Sequence, residues 1–152
     1  MLNHNTETVL RLQREIRTSA SYGRSLALLA RAKWANPEGL TKSGLIVGMG
    51  ETEDEVLGAL ADLRAVGVDI ITIGQYLRPT THHLPVARWV EPHEFDRWKQ
   101  IGESMGIGHV EAFGDPTGGS SLWALAVDPQ TALPGVGTGL VRALIEHYIG
   151  LG

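Results

Sequence analysis

The sequence contains no cysteine. Disulfides are therefore excluded, and so is any zinc or iron–sulfur site held by the chain's own thiolates. Long apolar runs are missing too: no stretch approaches the roughly 20 residues that span a bilayer, and the N-terminus has no basic-then-apolar signal pattern. Nor is there an excess of positive charge. The formal net charge is −4, which gives no electrostatic ground for nucleic acid or an anionic lipid surface as a partner. A cytoplasmic location is the default expectation. No serine-nucleophile elbow, phosphate-loop lysine or His/Asp/Glu cluster with metal-ligand spacing occurs, and the adjacent His82 and His83 diverge in an extended chain.

What remains is an ordinary globular composition. The 152 residues are 43% apolar and 20% charged, enough for one sizeable core. Residues 1–112 carry 12 Lys/Arg and 14 Asp/Glu, whereas residues 113–152 carry one and three and hold eight of the 19 glycines. The change falls near Phe113, beside the turn-rich run from Gly114 to Ser121. That run has no helical or strand period and reads as a linker over 113–121.

Before it, the pattern is a helix and then repeated strand–helix units. Val9, Leu10, Leu12 and Ile16 predict a short helix, for which Asn5 or Thr6 is a candidate cap, and Tyr22, Leu26, Leu29 and Ala32 predict a second, ending near Asn36-Pro37. A buried strand is expected from Leu45 to Met49. Thr52 and Glu55 then form a capping-box pattern, with Val56, Leu60 and Leu63 on the buried face of a helix that stops at Gly67. A β-branched strand over Asp69–Ile73 follows, then a helix opened by Pro92 with Phe95, Trp98, Ile101 and Met105 inward, then a short alternating strand at His109–Ala112. Strands alternating with helices imply a parallel sheet packed with helices.

The most informative stretch is Gly44-Leu45-Ile46-Val47-Gly48-Met49-Gly50-Glu51, an apolar strand running into a glycine corner with an acidic residue just before a helix. Small residues there let a flat ligand lie against the backbone, and exposed amides are expected at the helix start. A tight strand-to-helix turn is the plain alternative. The spacing Gly44-x-Ile46-x-Gly48-x-x-Glu51 resembles the adenine-side motif of radical S-adenosylmethionine (SAM) enzymes. Four companions, Leu2-Asn3-His4-Asn5-x-Glu7-Thr8, Thr41-Lys42-Ser43-Gly44, Gly74-Gln75-Tyr76-Leu77-x-Pro79 and His83-Leu84-Pro85-Val86, resemble lipoyl synthase in the same order. Five motifs in register rarely coincide.

The resemblance covers about residues 1–112 and implies an α/β fold, the later strands of a partial (β/α) barrel of radical SAM type. It implies that Asn3, Asn5 and Glu7 lie beside the ribose of SAM, Lys42 at the barrel mouth and Ile46 against adenine. Gly48 would allow close approach, Glu51 would anchor the turn, and the backbone of Gln75, Tyr76 and Leu77 would read the adenine edge. Arg78 and Arg88 could meet anionic groups, although Arg88 also suits an ion pair with Glu91 or Glu94. The family inserts sulfur into protein-bound octanoyl groups in lipoate biosynthesis, using two 4Fe–4S clusters held by cysteine triplets nearer the N-terminus. This sequence has neither triplet and looks like the back half of the enzyme, a truncated or fused product expected to be inactive alone. A half barrel leaves an apolar face and edge uncovered. Its implied partners are the octanoylated lipoyl domain and either a chain bearing the missing half or a second copy. The family's cluster-ligating serine has only a remote counterpart in Ser120 or Ser121, since the flanking arginine and tyrosine are absent.

Residues 122–152 carry a second resemblance. Leu122–Val127 is a strand candidate, Pro134-Gly135-Val136-Gly137-Thr138-Gly139 a glycine loop, and Leu140 to Tyr148 a helix. This order is similar to the coenzyme-A pyrophosphate motif of the GNAT acetyltransferases, with Val136, Gly137, Thr138 and Gly139 offering amides to the anion. Ala132 stands where that family has Arg or Gln. A glycine-permitted turn into a packing helix is the equal alternative. The rival functions to a partnered half-enzyme are thus an acyl-CoA-binding or N-acetyltransferase fragment and a noncatalytic remnant.

Overall fold

The computed structural model describes residues 1–113. The linker and tail beyond them, including Ser121 and the glycine loop at Val136, Gly137, Thr138 and Gly139, lie outside the described residues. Four strands, β1 (Leu2–Asn3), β2 (Thr41–Val47), β3 (Ile70–Gln75) and β4 (His109–Phe113), pair in parallel in sequential order. The helices are α1 (Gln13–Ile16), entered through a 3-10 turn at Leu10–Leu12, α2 (Tyr22–Ala35), α3 (Glu53–Ala65) and α4 (Pro92–Ser104). Right-handed crossovers that always step the same way place their helices on one side of the sheet. A strand order without a reversal is that of a (β/α) barrel segment, not of an open doubly wound sheet.

Alternation along the strands separates the two faces. On the helix side Thr41, Ser43, Leu45, Val47, Ile71, Ile73 and Val110 are buried, packed with Leu29, Val56, Leu60, Leu63, Phe95 and Trp98 in one core. On the opposite side Lys42, Ile46, Ile70, Thr72 and Gly74 are only partly covered. Full burial of Leu60 or Leu63 contributes about 1.5–3 kcal/mol each, so the helix side supplies the stability and the other side is left to function.

The local signals act as the residues dictate. Thr52 and Glu55 close a reciprocal capping box on α3, and a second, which periodicity alone did not suggest, joins Glu91 to Glu94 on α4 behind Pro92. The strand bounds need correction. β2 begins at Thr41 rather than Leu45, because buried Thr41 and Ser43 occupy core positions as hydrogen-bonded polar groups, and it ends at Val47 because Gly48 turns to φ +100°. Neither Asn5 nor Thr6 caps the first helical turn, whose preceding residue is Val9 with no side-chain cap.

Thr6 is instead part of a bulge. Asn3 pairs with Lys42 and Glu7 with Leu45, so His4–Thr6 stand opposite only Ser43 and Gly44. The surplus residue leaves the ladder, and the Thr6 amide turns to the Ser43 hydroxyl at 3.3 Å. Beyond it Glu7 takes φ 67°, the left-handed region a non-glycine residue seldom adopts.

At the N-terminal end of β2, Asp69 ties three elements. It accepts from Lys33 Nζ at 2.9 and 3.0 Å and from the amide and hydroxyl of Thr41 at 2.7 and 3.0 Å. Burial alone would push its carboxyl up, but the Lys33 and Thr41 hydrogen bonds outweigh it and hold it below the ordinary aspartate range. A depressed folded pKa stabilises above the unfolded value and is lost as pH falls through the folded one. Asp69→Asn should therefore cost about 1–3 kcal/mol at pH 7 and lose less stability than the parent between neutrality and the acid limb. Urea denaturation at pH 7 and at strongly acid pH measures both; an unchanged acid limb would contradict this account of Asp69.

Candidate functional site

The candidate residues run along the less covered face from the N-terminal ends of β2 and β3, where Lys42 lies rather than at the mouth, to their C-terminal ends, where parallel α/β folds bind ligands. Register sets its rows. Asn3, Lys42 and Ile70 are aligned across β1, β2 and β3; Gly44 is aligned with Thr72; Ile46 is aligned with Gly74. The bulge brings Asn5 into the second row: a Cβ on Gly44 would stand 3.0 Å from Asn5 Oδ1 and 3.2 Å from Thr72 Oγ1. At Gly74 an added Cβ would meet nothing within 4 Å among the described residues.

The polar groups here are unspent. Among the described residues the side chains of Asn3, Asn5, Glu7 and Lys42 make no hydrogen bond or ion pair. Arg17 reaches Asn5 only at its carbonyl, 2.9 Å away. Along this face the amide of Asn3 and the ammonium of Lys42 share one register position, Asn5 lies beside Gly44 at the next, and Ile46 and the bare backbone of Gly74 form an apolar floor at the third. That is what a nucleoside-like ligand needs.

The glycine corner is fixed by the protein's own side chains. Glu51 is 5% exposed, and its two oxygens accept from the amides of Gly48 at 2.5 Å and Met49 at 3.0 Å. The Thr52 amide goes to Glu55 Oε2 and the Glu55 amide to Thr52 Oγ1. These four amides are thus occupied by side chains, and Glu53, Asp54 and Glu55 already fill the positive first turn of α3. The amides of Glu53 and Asp54 at this helix start, by contrast, make no hydrogen bond among the described residues.

Gly48 is likewise constrained by the protein itself. A Cβ there would collide with the Gln75 side-chain amide and stand 2.8 Å from the Arg88 carbonyl. Its own carbonyl accepts from the amides of Ala87 and Arg88 at 2.8 and 3.3 Å. Gln75 completes the closure: Nε2 donates to the carbonyls of Tyr76 and Arg88, and Oε1 accepts from the Val90 amide at 2.9 Å. Its side chain is a clamp that folds the 76–90 loop back onto the corner, a role spacing gave no means of finding. Tyr76 joins it through its amide to the Val47 carbonyl and its hydroxyl to the Leu84 carbonyl. Leu77 is half-exposed with both backbone groups unbonded among the described residues.

The two arginines of this loop differ: Arg78 bonds only neutral carbonyls, whereas Arg88 is paired with a carboxylate. Arg78 donates to the carbonyls of His83 and Thr81. Arg88 forms a two-pronged pair with Glu94 at 2.7 and 2.9 Å, and that bond chiefly holds the Glu94 carboxyl below its ordinary range. Glu94, not Glu91, is the partner.

Comparison with known proteins identifies relatives of the chain. The chain is 56% identical over 110 residues to lipoyl synthase of Rubrobacter xylanophilus, covering 72% of this chain and 34% of that one. It is 51% identical over 129 residues to the Chlorobaculum parvum lipoyl synthase, 85% of this chain and 43% of that one, and 52% identical over 110 residues to that of Klebsiella pneumoniae. The chain is a homologue of the lipoyl synthases. It matches their C-terminal half, and it spans between 34% and 43% of the length of these curated relatives. No family model matches the chain. The lipoyl synthase relationship carries the radical SAM fold, of which the four-stranded parallel sheet is a part. Among the described residues no helix is long and apolar enough to cross a membrane.

In this lipoyl-synthase-type corner the two glycines separate conformation from space. Gly50 has φ +108° but a Cβ there would meet only Ala87 at 3.9 Å. Gly50→Ala should cost about 1 kcal/mol, the strain alone, whereas Gly48→Ala adds overlap with Gln75 and Arg88 and should cost about 3 kcal/mol. Denaturant midpoints of the two variants test this; equal losses would show that the corner is not closed by the 76–90 loop.

Proposed function

We propose that residues 1–112 form the SAM-contacting part of a lipoyl-synthase-type barrel. The observation that carries this reading is the set of unspent polar side chains, Asn3, Lys42 and Asn5, on the same face as Ile46 and Gly74 of a sheet homologous to lipoyl synthase. In this reading Asn3, Asn5 and Glu7 address the ribose hydroxyls. Ile46 floors the adenine, Leu77 offers its backbone to the base edge, and Lys42 sits at the anionic end. Glu51 and Gln75 act by holding the corner and the loop in place, with their side chains fully engaged by the protein.

The residues do not fit an iron–sulfur cluster. The sequence has no thiolate, and among the described residues no three His, Asp or Glu side chains converge on a metal position. No cluster chemistry is assigned to this chain. Reductive cleavage of SAM and sulfur insertion into the octanoylated lipoyl domain would need thiolates and barrel strands that these 152 residues do not contain.

The test uses S-adenosylhomocysteine and calorimetry on the 152-residue chain. Weak, saturable heat is expected, since no metal adds affinity at the amino-acid end. Gly74→Val should abolish it by filling this face while leaving the melting temperature unchanged, because among the described residues nothing lies within 4 Å of its new Cβ. Equal heats for both proteins would sink the reading. Anaerobic iron–sulfide reconstitution should leave the chain colourless; stoichiometric iron with a visible charge-transfer band would contradict the assignment.

A further inference from the structure

The outward face of α2 is unlike the rest of the surface. Arg24, Leu28, Arg31 and Ala35 follow one another at intervals of three and four residues, flanked by Ala27 and Trp34, and all six are exposed. Trp34 is 86% exposed and Leu28 43%. On a chain of net charge −4, α2 contains no acidic residue. Its third cation, Lys33, is committed to Asp69 at 2.9 Å, whereas Arg24 and Arg31 make no hydrogen bond or ion pair among the described residues.

We propose that this face docks a partner protein that presents carboxylates around an apolar spot. Charge decides the class of partner. Two unpaired arginines, about 10 Å apart at 1.5 Å per helical residue, suit a pair of carboxylates. They fall short of the four to eight basic residues of an anionic-lipid site and of the phosphate contacts that hold duplex DNA. Tryptophan and arginine side by side are the composition of protein interface anchors, where a rigid ring fills a pocket and the guanidinium pairs at its rim. The helix packs through Leu29 on the core side of the sheet, opposite the face that carries Lys42 and Ile46, and the proposal does not rest on the SAM reading.

The probe is an amphipathic helical peptide with glutamates bordering a leucine face, titrated into the full chain. Amide shifts along α2 are followed by NMR, and Trp34 emission is isolated by difference against Trp34→Phe. The α2 amides should shift, Trp34 emission should move to the blue, and Arg24→Glu with Arg31→Glu should weaken binding at least tenfold with unchanged melting. Four results would overturn the proposal: no binding of the acidic peptide, equal binding of the same peptide with glutamine for glutamate, an unchanged affinity in the double variant, or an α2 response to phosphatidylserine vesicles or duplex DNA instead. A buried-type Trp34 emission in the free chain would also overturn it, showing coverage by the chain's own remainder when independent of concentration and by a second copy when it rises with concentration.

Discussion

The carboxylate of Glu51 turned back onto the amides of Gly48 and Met49 is the interaction on which the site depends. A parallel strand that ends at a ligand face must leave the sheet abruptly, and the amides freed at that turn need acceptors. Glu51 supplies both from a buried position. With the turn fixed, the Gly48 carbonyl becomes the acceptor for Ala87 and Arg88, and Gln75 fastens the same segment from the next strand. The 76–90 loop is therefore held by backbone and amide contacts to two strand ends, and the strand ends themselves stay open on the other side. Spending the Gly48 and Met49 amides internally has a consequence for the proposed chemistry: in that reading recognition passes to the side chains and bare backbone of the sheet face.

The division of labour between the two faces follows from alternation. Every second residue of β2 and β3 feeds one continuous core with the helices, and the intervening residues contribute little to it. Lys42, Asn5 and Thr72 can therefore be polar without a desolvation penalty, and Gly44 and Gly74 can be small without leaving a cavity in the core. The bulge at His4–Thr6 belongs to the same logic. It shifts the first segment by one residue, turns Thr6 to the Ser43 hydroxyl on the core side and keeps Asn5 beside Gly44 on the open side.

Much of this was legible in the residues. Thr52-x-x-Glu55, Pro92 and the glycines at 67 and 106 mark their helix boundaries because each acts within one turn of chain, and Val56, Leu60, Leu63, Phe95 and Trp98 declare buried faces through their period. The five motifs led to the lipoyl synthases, as the identities with the relatives bear out. What spacing did not reveal depends on pairs distant in sequence. The Asp69 link to Lys33 and Thr41 spans 28–36 residues, and the Gln75 clamp on Arg88 and Val90 spans 13–15. Buried polar Thr41 and Ser43 also break the apolar run by which a strand is recognised, so β2 starts four residues before its hydrophobic segment. Gly48 shows the commonest ambiguity: a glycine required by its own protein's backbone has the same appearance in sequence as one reserved for a ligand.

The central claim is that an adenosyl ligand lies on the open sheet face and not at the start of α3. An NMR titration of the chain with S-adenosylhomocysteine distinguishes the two most directly. The account predicts amide shifts at Asn5, Gly44, Ile46 and Gly74, with those of Glu53–Glu55 unmoved. Shifts confined to Glu53–Glu55, or none on the sheet at saturating ligand, would contradict it.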